Sequence, residues 1–395
     1  MKKGTAILSA LLLLTALLLP FHASAETQAI KPIDEQKVKL HFAAWADPQV
    51  SHYLKTREPF LISSAKDLKE NGSNIDALVL AGDITENCIP DEWYWVTNDI
   101  KDIGVKNYIA ATGNHDVRVH DYGVVVDSFT DFNNHLNMGV GSPLRIETLN
   151  YSYVVNGYRF IVLGSELSTL EEAEIGAKQL RWLDRQLAKS NKEGKPSFVI
   201  LHQPLKNTHG LPETWGSFLK TAGTVGPQSD KIQAILNKYG NVFLITGHLH
   251  SGFGQYTYER VGNIYSVNLP ALGPDNDNGE YNEHGIGYMV EVYADKVCFR
   301  ARNFDKSVYL PQYDINVNLN TATASLSKTE YRYNGKVKTP KVTVKDAYGR
   351  KISKKYYSVK YQKGRKKAGT YKVTVTFKGK YKENKKQVLT FTIQK

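Results

Sequence analysis

The stretch NYIAATGNHD, residues 107–116, determines how the rest of the chain is interpreted. Its first half is a short apolar run of the kind that forms a buried strand, and its second half changes at once to polar residues. In open α/β sheets, ligands bind beyond the carboxyl ends of the strands. The stretch therefore predicts a strand that ends in metal-binding or catalytic side chains, namely Asn114, His115 and Asp116.

Four other apolar runs also end in polar residues. The run at 38–45 is followed by Asp47 and Gln49, the run at 77–81 by Asp83, the run at 197–201 by His202, and the run at 242–246 by His248 and His250. One such cluster could be a simple turn, but five at strand ends predict a shared site. Oxygen and imidazole donors without thiolates suit Mn, Fe, Zn or Co. We therefore expect a metal centre.

Hydrophobic periodicity predicts an α/β body. Helical patterns cover residues 53–70 and 171–192, between the strand-like runs. Further strands are indicated at 264–269, 288–293 and 297–303, which makes the second half of the body rich in β-structure. The motifs thus lie at the ends of strands that alternate with helices, as in sheets with crossover connections.

The ordered motifs resemble those of the calcineurin-like metallophosphoesterase superfamily. That superfamily carries D-x-H, G-D, G-N-H-[DE], H and G-H-x-H at successive strand ends. The corresponding residues in this chain are DPQ at 47–49, GD at 82–83, GNHD at 113–116, His202 and GHLH at 247–250. The resemblance covers roughly residues 38–305 and implies a domain over residues 36–318. The implied fold is a four-layer α/β/β/α arrangement, a β-sandwich flanked by helices.

The resemblance also implies a role for each motif residue. Two divalent metal ions would be held by two ligand sets, Asp47, Gln49, Asp83 and His250 for the first, and Asp83, Asn114, His202 and His248 for the second. A hydroxide bridging the metals would attack a phosphate mono- or diester. His115 would protonate the leaving oxygen or stabilise the transition state, and Asp116 would orient its ring. The alternative is a surface protein that holds a phosphorylated ligand without turnover.

Two positions depart from the patterns of related groups. Gln49 stands where the superfamily has histidine, and an amide oxygen favours Mg or Mn over Zn or weakens the first metal site. Some subgroups that resemble this chain also read Asp-Pro-Gln and are phosphatases, so Gln49 does not indicate inactivity. Purple acid phosphatases carry tyrosine three residues after the bridging aspartate. Glu86 occupies that position, which argues against an iron–tyrosinate site.

The N-terminus predicts secretion. Residues 1–25 have a charged start, an apolar run and an Ala-Ser-Ala end, which are the features of a cleaved signal peptide. A membrane anchor is the alternative, but the run is short for a span. No other segment of the sequence approaches membrane-spanning length.

The C-terminal region differs in charge and pattern. Residues 321–395 hold 22 lysines and arginines and 3 acidic residues, a net of +19; with +2 in the first 25 residues, this leaves −9 for residues 26–320. Short alternating runs predict a small all-β domain, and the segments resemble Ig-like modules of surface proteins from Gram-positive bacteria. An anionic cell-wall polymer is the expected partner rather than a specific nucleic acid. The alternative is a merely solvated surface.

Three features outside the motifs leave alternatives open. The two cysteines, Cys88 and Cys298, could form a disulfide bond, which spacing alone does not decide. His209 lies soon after His202 and could face a substrate. The loop at 273–279 could line the cleft or bind calcium, but an ordinary polar loop is the preferred interpretation because its spacing does not match an EF-hand.

Overall fold

A computed structural model describes residues 27–118, 120–137, 148–215 and 223–395. The predicted signal peptide, residues 1–25, lies outside these ranges. Within them, no helix is both long enough and apolar enough to cross a membrane. Cys88 and Cys298 are both buried free thiols.

The regular elements follow the predicted alternation of strands and helices. The body strands are β1 (Leu40–Trp45), β2 (Ala77–Ala81), β3 (Tyr108–Ala111), β4 (Tyr151–Val155), β5 (Tyr158–Val162), β6 (Ser197–Ile200), β7 (Val242–Thr246), β8 (Tyr258–Val261), β9 (Ile264–Asn268), β10 (Ile286–Val292), β11 (Lys296–Asn303), β12 (Val308–Tyr309) and β13 (Ile315–Asn318). The helices are α1 (Glu58–Asn71), α2 (Pro90–Ile100), α3 (Asn114–Val117), α4 (Tyr122–Leu136), α5 (Ala177–Glu193) and α6 (Ser229–Leu236). The C-terminal strands are β14 (Ala322–Leu326), β15 (Glu330–Arg332), β16 (Val342–Asp346), β17 (Tyr357–Tyr361), β18 (Gly369–Phe377) and β19 (Gln387–Gln394). Short 3-10 helices span Pro311–Tyr313, Lys354–Tyr356 and Gly379–Tyr381.

The body contains two mixed sheets. The first has the order β12-β11-β10-β1-β2-β3, with β13 also paired to β11, and the second has the order β4-β5-β6-β7-β9-β8. Strands β1, β2 and β3 are parallel to one another, as are β5, β6, β7 and β9. Because parallel strands end at the same edge, each sheet gathers its strand-end motifs on one side.

Side-chain alternation explains why these sheets form four layers. In β6, Phe198 and Ile200 belong to the core between the sheets, while Val199 packs with α5 and α6. Phe42 of the first sheet contacts Phe198 of the second edge-to-face, with ring centroids 5.3 Å apart. Helices α1, α2 and α4 cover the first sheet and α5 and α6 cover the second. The body is therefore the α/β sandwich that the resemblance implies.

Two buried charges join helix α1 to the first sheet. The Nε and Nη2 atoms of Arg302 donate to the Asp67 carboxylate at 2.7 and 2.8 Å. Both side chains are almost completely buried. Such a fork-to-fork pair fixes the helix against β11, and it tolerates burial because both charges are compensated.

We expect Asp67→Ala to lower the free energy of unfolding by about 3–5 kcal/mol, because it leaves a buried guanidinium uncompensated. Urea unfolding followed by circular dichroism measures the change. The control is Asp230→Ala, since Asp230 pairs with Lys206 on the surface and such pairs contribute at most about 1 kcal/mol. Equal losses in both variants would contradict the assigned role of the buried pair.

The C-terminal region is all-β and packs against the body. Sheet β14-β16 faces sheet β15-β19-β18-β17, and their apolar side chains share a core. A Cβ atom at Gly240 would collide with the backbone of Ala347, and one at Gly194 would collide with the Arg350 side chain. Tyr348 is half-buried at this junction, where burial raises its pKa to about 12. The C-terminal region is therefore in direct contact with the body.

Candidate metal centre

The motif residues meet at the edge of the sandwich where β1, β2, β3, β6 and β7 end. Five of them have a positive φ angle, Asp47 (50°), Gln49 (47°), Asp83 (46°), His248 (75°) and His250 (46°). Residues other than glycine rarely adopt this conformation, which costs on the order of 1–3 kcal/mol each and is concentrated at functional sites. Strands β1, β2 and β7 thus end in sharp turns of the backbone that place polar side chains at the common edge.

The glycines of the motifs allow the ligands to approach one another. A Cβ atom at Gly113 would collide with the Asp83 carboxylate, and one at Gly247 would collide with the Asp47 carboxylate. Replacing either hydrogen by a side chain would therefore force the neighbouring carboxylate out of position. This is a physical reason for glycine in GNHD and GHLH.

Five candidate ligand residues form two groups around a shared carboxylate. One group is Asp83, His202 and His248, the other is Asp47, Asp83 and His250, and the donor atoms within each group lie within 4.8 Å of one another. Asp83 belongs to both groups, which is the arrangement that the resemblance implies for a bridging ligand. The Nε2 atoms of His202 and His250 lie 3.1 Å from Asp83 Oδ2 and 3.3 Å from Asp47 Oδ1, respectively.

Three buried donor atoms in this region have no hydrogen-bond partner, Gln49 Oε1, Asn114 Oδ1 and His202 Nε2. His202 Nε2 is close to Asp83 but lacks the alignment of a hydrogen bond, and its Nδ1 lies 2.8 Å from the Ala81 carbonyl oxygen. That carbonyl can only accept, so Nδ1 carries a proton and Nε2 is the nitrogen that would bind a metal.

The side-chain amide of Asn114 is oriented in a similar way. Its Nδ2 donates to Glu171 Oε2 at 3.1 Å, which leaves the oxygen as the free end. Unsatisfied buried polar atoms cost about 1–3 kcal/mol each, and metal ions would satisfy them. The donor set, two carboxylates, two amide oxygens and three imidazoles, therefore fits two divalent ions, with Gln49 and Asn114 each completing one group.

The shared carboxylate is ionised. Burial alone would raise the pKa of Asp83, but the neighbouring His202, His115 and His248 outweigh it and hold the pKa well below its usual range. An ionised carboxylate is the form that binds metals. Asp83 Oδ1 also accepts from the backbone N–H of His115 at 2.8 Å, which connects the shared ligand to the GNHD loop.

His115 lies beside the ligand groups, but its ring is held by Glu86. Its Nδ1 is 3.1 Å from the Glu86 carbonyl oxygen and 3.4 Å from the Glu86 carboxylate, and its Nε2 is 4.0 Å from Asp83 Oδ2. Burial lowers the pKa of His115, but hydrogen bonding to Glu86 and the charges of Asp83 and Glu86 outweigh it and raise the pKa overall. The ring is therefore biased towards the protonated form, with Nε2 towards the metal ligands.

The structure corrects the contact expected for Asp116. Its carboxylate accepts from the backbone N–H groups of Gly113, Ile84 and Thr85 at 2.8, 3.1 and 2.8 Å, and from the Thr85 hydroxyl at 2.9 Å. These four bonds use its acceptor sites, so it joins the GNHD loop to the loop after Asp83 and does not contact the His115 ring. Glu86 makes the contact that the sequence assigned to Asp116, and a catalytic role for either residue remains a prediction.

A pocket of about 230 Å³ opens over the ligand groups. Besides the motif residues, its wall includes Glu171, Trp215, Asp275 and Asp277. The Trp215 ring stacks on His248 with centroids 4.7 Å apart. No lysine or arginine lines the pocket in the described part of the chain.

Three of these residues, in two segments, differ from the preferred interpretation of the sequence. Helix α5 begins at Ala177 after Gly176, instead of at residue 171, so Glu171 lies in a loop that reaches the pocket. The 273–279 loop was expected to be an ordinary polar loop, yet its Asp275 and Asp277 line the pocket. Neither segment carries a motif that could have revealed it.

His209 lies away from the pocket wall. Its ring nitrogens lie 2.7 Å from the Tyr256 carbonyl oxygen and 2.8 Å from the Ser266 hydroxyl. Burial lowers its pKa to about 4, so the ring is neutral. The residue therefore supports the strands below the site, and the suggestion that it faces substrate is wrong.

Comparison with known proteins agrees with this fold. The calcineurin-like phosphoesterase family profile matches residues 41–252, and the chain belongs to this family. Members of the family use a dinuclear centre of divalent metal ions, and the two ligand groups that share Asp83 fit such a centre.

Curated relatives are distant. Purple acid phosphatase 18 of Arabidopsis thaliana is 23% identical over 262 residues, which cover 62% of this chain and 55% of that protein. A probable cyclic nucleotide phosphodiesterase of Fibrobacter succinogenes is 26% identical over 183 residues, which cover 46% of this chain and 60% of that protein. The chain thus spans little more than half the length of these relatives.

Solved structures share the fold. A dimetal phosphatase from Danio rerio superposes with a TM-score of 0.50 at 14% identity, covering 71% of this chain and 99% of that one. Purple acid phosphatase PPD1 from yellow lupin seeds gives 0.52 at 15% identity, covering 71% and 53%. At this identity the likeness concerns the fold of the body, and it does not define a substrate.

Proposed function

We propose that this chain is a metal-dependent phosphoesterase that hydrolyses phosphate mono- or diesters. The observation that carries the proposal is the pair of ligand groups that share Asp83, with His115 Nε2 4.0 Å from that carboxylate in the same pocket. A centre of this kind is suited to phosphoryl transfer, and the curated relatives are described as a phosphatase and a probable phosphodiesterase.

Two divalent ions, when bound, would polarise the phosphate oxygens and supply a nucleophile at neutral pH. The chain's own residues have three tasks. Asp47, Asp83 and the histidine ligands hold the ions, with Asp83 common to both groups. His115 would donate a proton from Nε2 to the leaving oxygen, because Nδ1 is engaged by the Glu86 carbonyl oxygen. Glu86 orients that ring and favours its protonated form.

Metal-dependent turnover of a chromogenic ester tests the proposal. We expect purified protein to hydrolyse nitrophenyl phosphate or bis(nitrophenyl) phosphate, to lose the activity after dialysis against a chelator, and to regain it with Mn²⁺, Zn²⁺, Fe²⁺ or Mg²⁺. Comparing the two esters distinguishes monoesterase from diesterase preference. If the metal-loaded protein binds phosphate but turns over neither ester, the alternative of a binding protein without turnover is favoured.

We also propose that the protein is secreted and that its basic C-terminal region, interpreted as an Ig-like module, associates with anionic cell-wall polymer. The N-terminal sequence pattern and the net charge of +19 over residues 321–395 support this proposal. All candidate ligands lie before that region, so the two roles occupy different parts of the chain.

A chain that ends after Asn320 should keep its activity. The C-terminal region contacts the loops before β6 and β7, at Gly194 and Gly240, whereas the ligands follow the opposite ends of those strands. We expect kcat/KM on nitrophenyl phosphate to stay within about two-fold, since the truncation removes no contact at the site. Circular dichroism confirms folding. A folded truncated chain without activity would show that the C-terminal region shapes the site.

A further inference from the structure

The end of the C-terminal region farthest from the body consists of two loops, residues 333–341 and 362–368. Strands β16 and β18 run between these loops and the junction with the body at Ala347 and Tyr381. The two loops are joined, because the Lys338 N–H donates to the Arg365 carbonyl oxygen at 3.0 Å and the Tyr361 hydroxyl donates to the Pro340 carbonyl oxygen at 2.7 Å. They therefore form one surface.

This surface concentrates positive charge. Its cations are Lys336, Lys338, Lys341, Lys363, Arg365, Lys366 and Lys367, hereafter the basic tip. Neither loop contains an acidic residue. Ion pairs of the C-terminal region occur elsewhere, at Arg350–Asp346 and Lys382–Glu383, and in the described part of the chain no carboxylate pairs with a basic-tip cation. These charges are available to a partner.

The arrangement favours an extended polyanion over a small anion. The cations lie on two adjoining loops, so a single phosphate could contact only one or two of them, whereas a linear polymer could contact most of them together. Arg365 also stacks over Tyr361, with its guanidinium carbon 5.2 Å from the ring centroid, which limits the freedom of that side chain. Several weak contacts along one chain add up because each later contact is intramolecular.

We propose that the basic tip is the binding surface for a linear phosphodiester polymer of the cell wall. The proposal rests on the proposed secretion, and it is independent of whether the body hydrolyses esters. Phosphate groups suit arginine and lysine donors, and a phosphodiester backbone provides one charge per repeat along a flexible chain.

The basic tip lies apart from the candidate metal centre. The site lies beyond the carboxyl end of β7, and the C-terminal region contacts the other end of that strand. The basic tip lies at the end of β16 and β18 that is away from this junction. Polymer binding at the tip and ester hydrolysis in the pocket would therefore use separate surfaces.

The test compares two four-fold charge reversals in the full-length mature protein. The tip variant carries Lys363→Glu, Arg365→Glu, Lys366→Glu and Lys367→Glu. The control carries Lys354→Glu, Lys355→Glu, Lys385→Glu and Lys386→Glu, four exposed lysines near the body end of the same region. Both variants change the net charge equally, so a difference in polymer binding between them shows that the position of the charges matters.

Binding to poly(glycerol phosphate) is measured at several salt concentrations, and kcat/KM on nitrophenyl phosphate is measured in parallel. Each phosphate contact contributes about 0.7 to the magnitude of the slope of log K against the logarithm of salt concentration. The slope should therefore become shallower by about 3 in the tip variant and by less than about 1 in the control. The value of kcat/KM tests the hydrolase proposal and polymer binding tests this one. Because kcat/KM should be unchanged in both variants, the failure of one proposal can be distinguished from the failure of the other. Cell wall stripped of phosphodiester polymer should no longer retain the protein.

Three results would overturn the proposal. Equal losses in both variants would show a diffuse basic surface instead of a site at the basic tip. Undiminished binding by the tip variant would show that the loops are not used. Tighter binding to single-stranded DNA with the same number of phosphates than to poly(glycerol phosphate) would assign the surface to nucleic acid.

Discussion

Asp83→Asn should lower kcat more than about 100-fold and reduce the bound metal below two ions per chain. Loss of an outer partner of a metal ligand already costs about 10–100-fold, and Asp83 is a ligand candidate shared by both groups. The substitution removes the negative charge while keeping the size of the side chain. It also removes one of the charges that, together with Glu86, raise the pKa of His115. Metal analysis by mass spectrometry and steady-state kinetics measure the two effects.

The matched control is Asp277→Asn. Asp277 lines the same pocket, but it is exposed and lies outside both ligand groups. This variant should retain two metal ions and a folded body. Full turnover by Asp83→Asn with both ions retained would contradict the shared-ligand assignment, even if the protein proves to be a phosphoesterase.

The strand-end motifs could be predicted from sequence because the physics is local. An apolar run forms a buried strand, and the residue after it lies at the sheet edge wherever the strand sits in the order. Asp47, Asp83 and His202 were found in this way, and the structure brings their donor atoms together. The sequence points only weakly to Glu86. Its position three residues after Asp83 stands out solely because purple acid phosphatases have a tyrosine there.

Other features depend on packing between distant segments, which the sequence pattern does not encode. Asp277 follows Asp83 by almost two hundred residues, and it lies at the pocket in a loop that pairs with Ser251. Asp116 follows His115 directly in the sequence, whether its carboxylate contacts the His115 ring or the loop after Asp83. Its acceptor sites are taken by the N–H groups of Ile84 and Thr85, which belong to the neighbouring strand end. Adjacency in sequence thus suggested the wrong partner.

His115→Ala should leave both metal ions bound but reduce kcat by roughly 10²–10⁴-fold, the usual contribution of a general acid. The side chain lies outside the ligand groups, so its loss removes no metal donor. The reduction should depend on the substrate. Nitrophenolate leaves without protonation, whereas an alkoxide needs a proton. We therefore expect a much smaller effect on nitrophenyl phosphate than on an alkyl phosphate such as glycerol phosphate.

Glu86→Gln separates proton donation from positioning in the same experiment. The glutamine keeps the backbone carbonyl that contacts Nδ1 of His115, but it removes the negative charge beside the ring. It should therefore lose activity on glycerol phosphate at neutral and higher pH, because the pKa of His115 falls, and recover at lower pH. If His115→Ala instead reduces turnover of both esters by the same factor, His115 acts on the phosphoryl group and is not the acid, since protonation of the leaving group is the only step that distinguishes them.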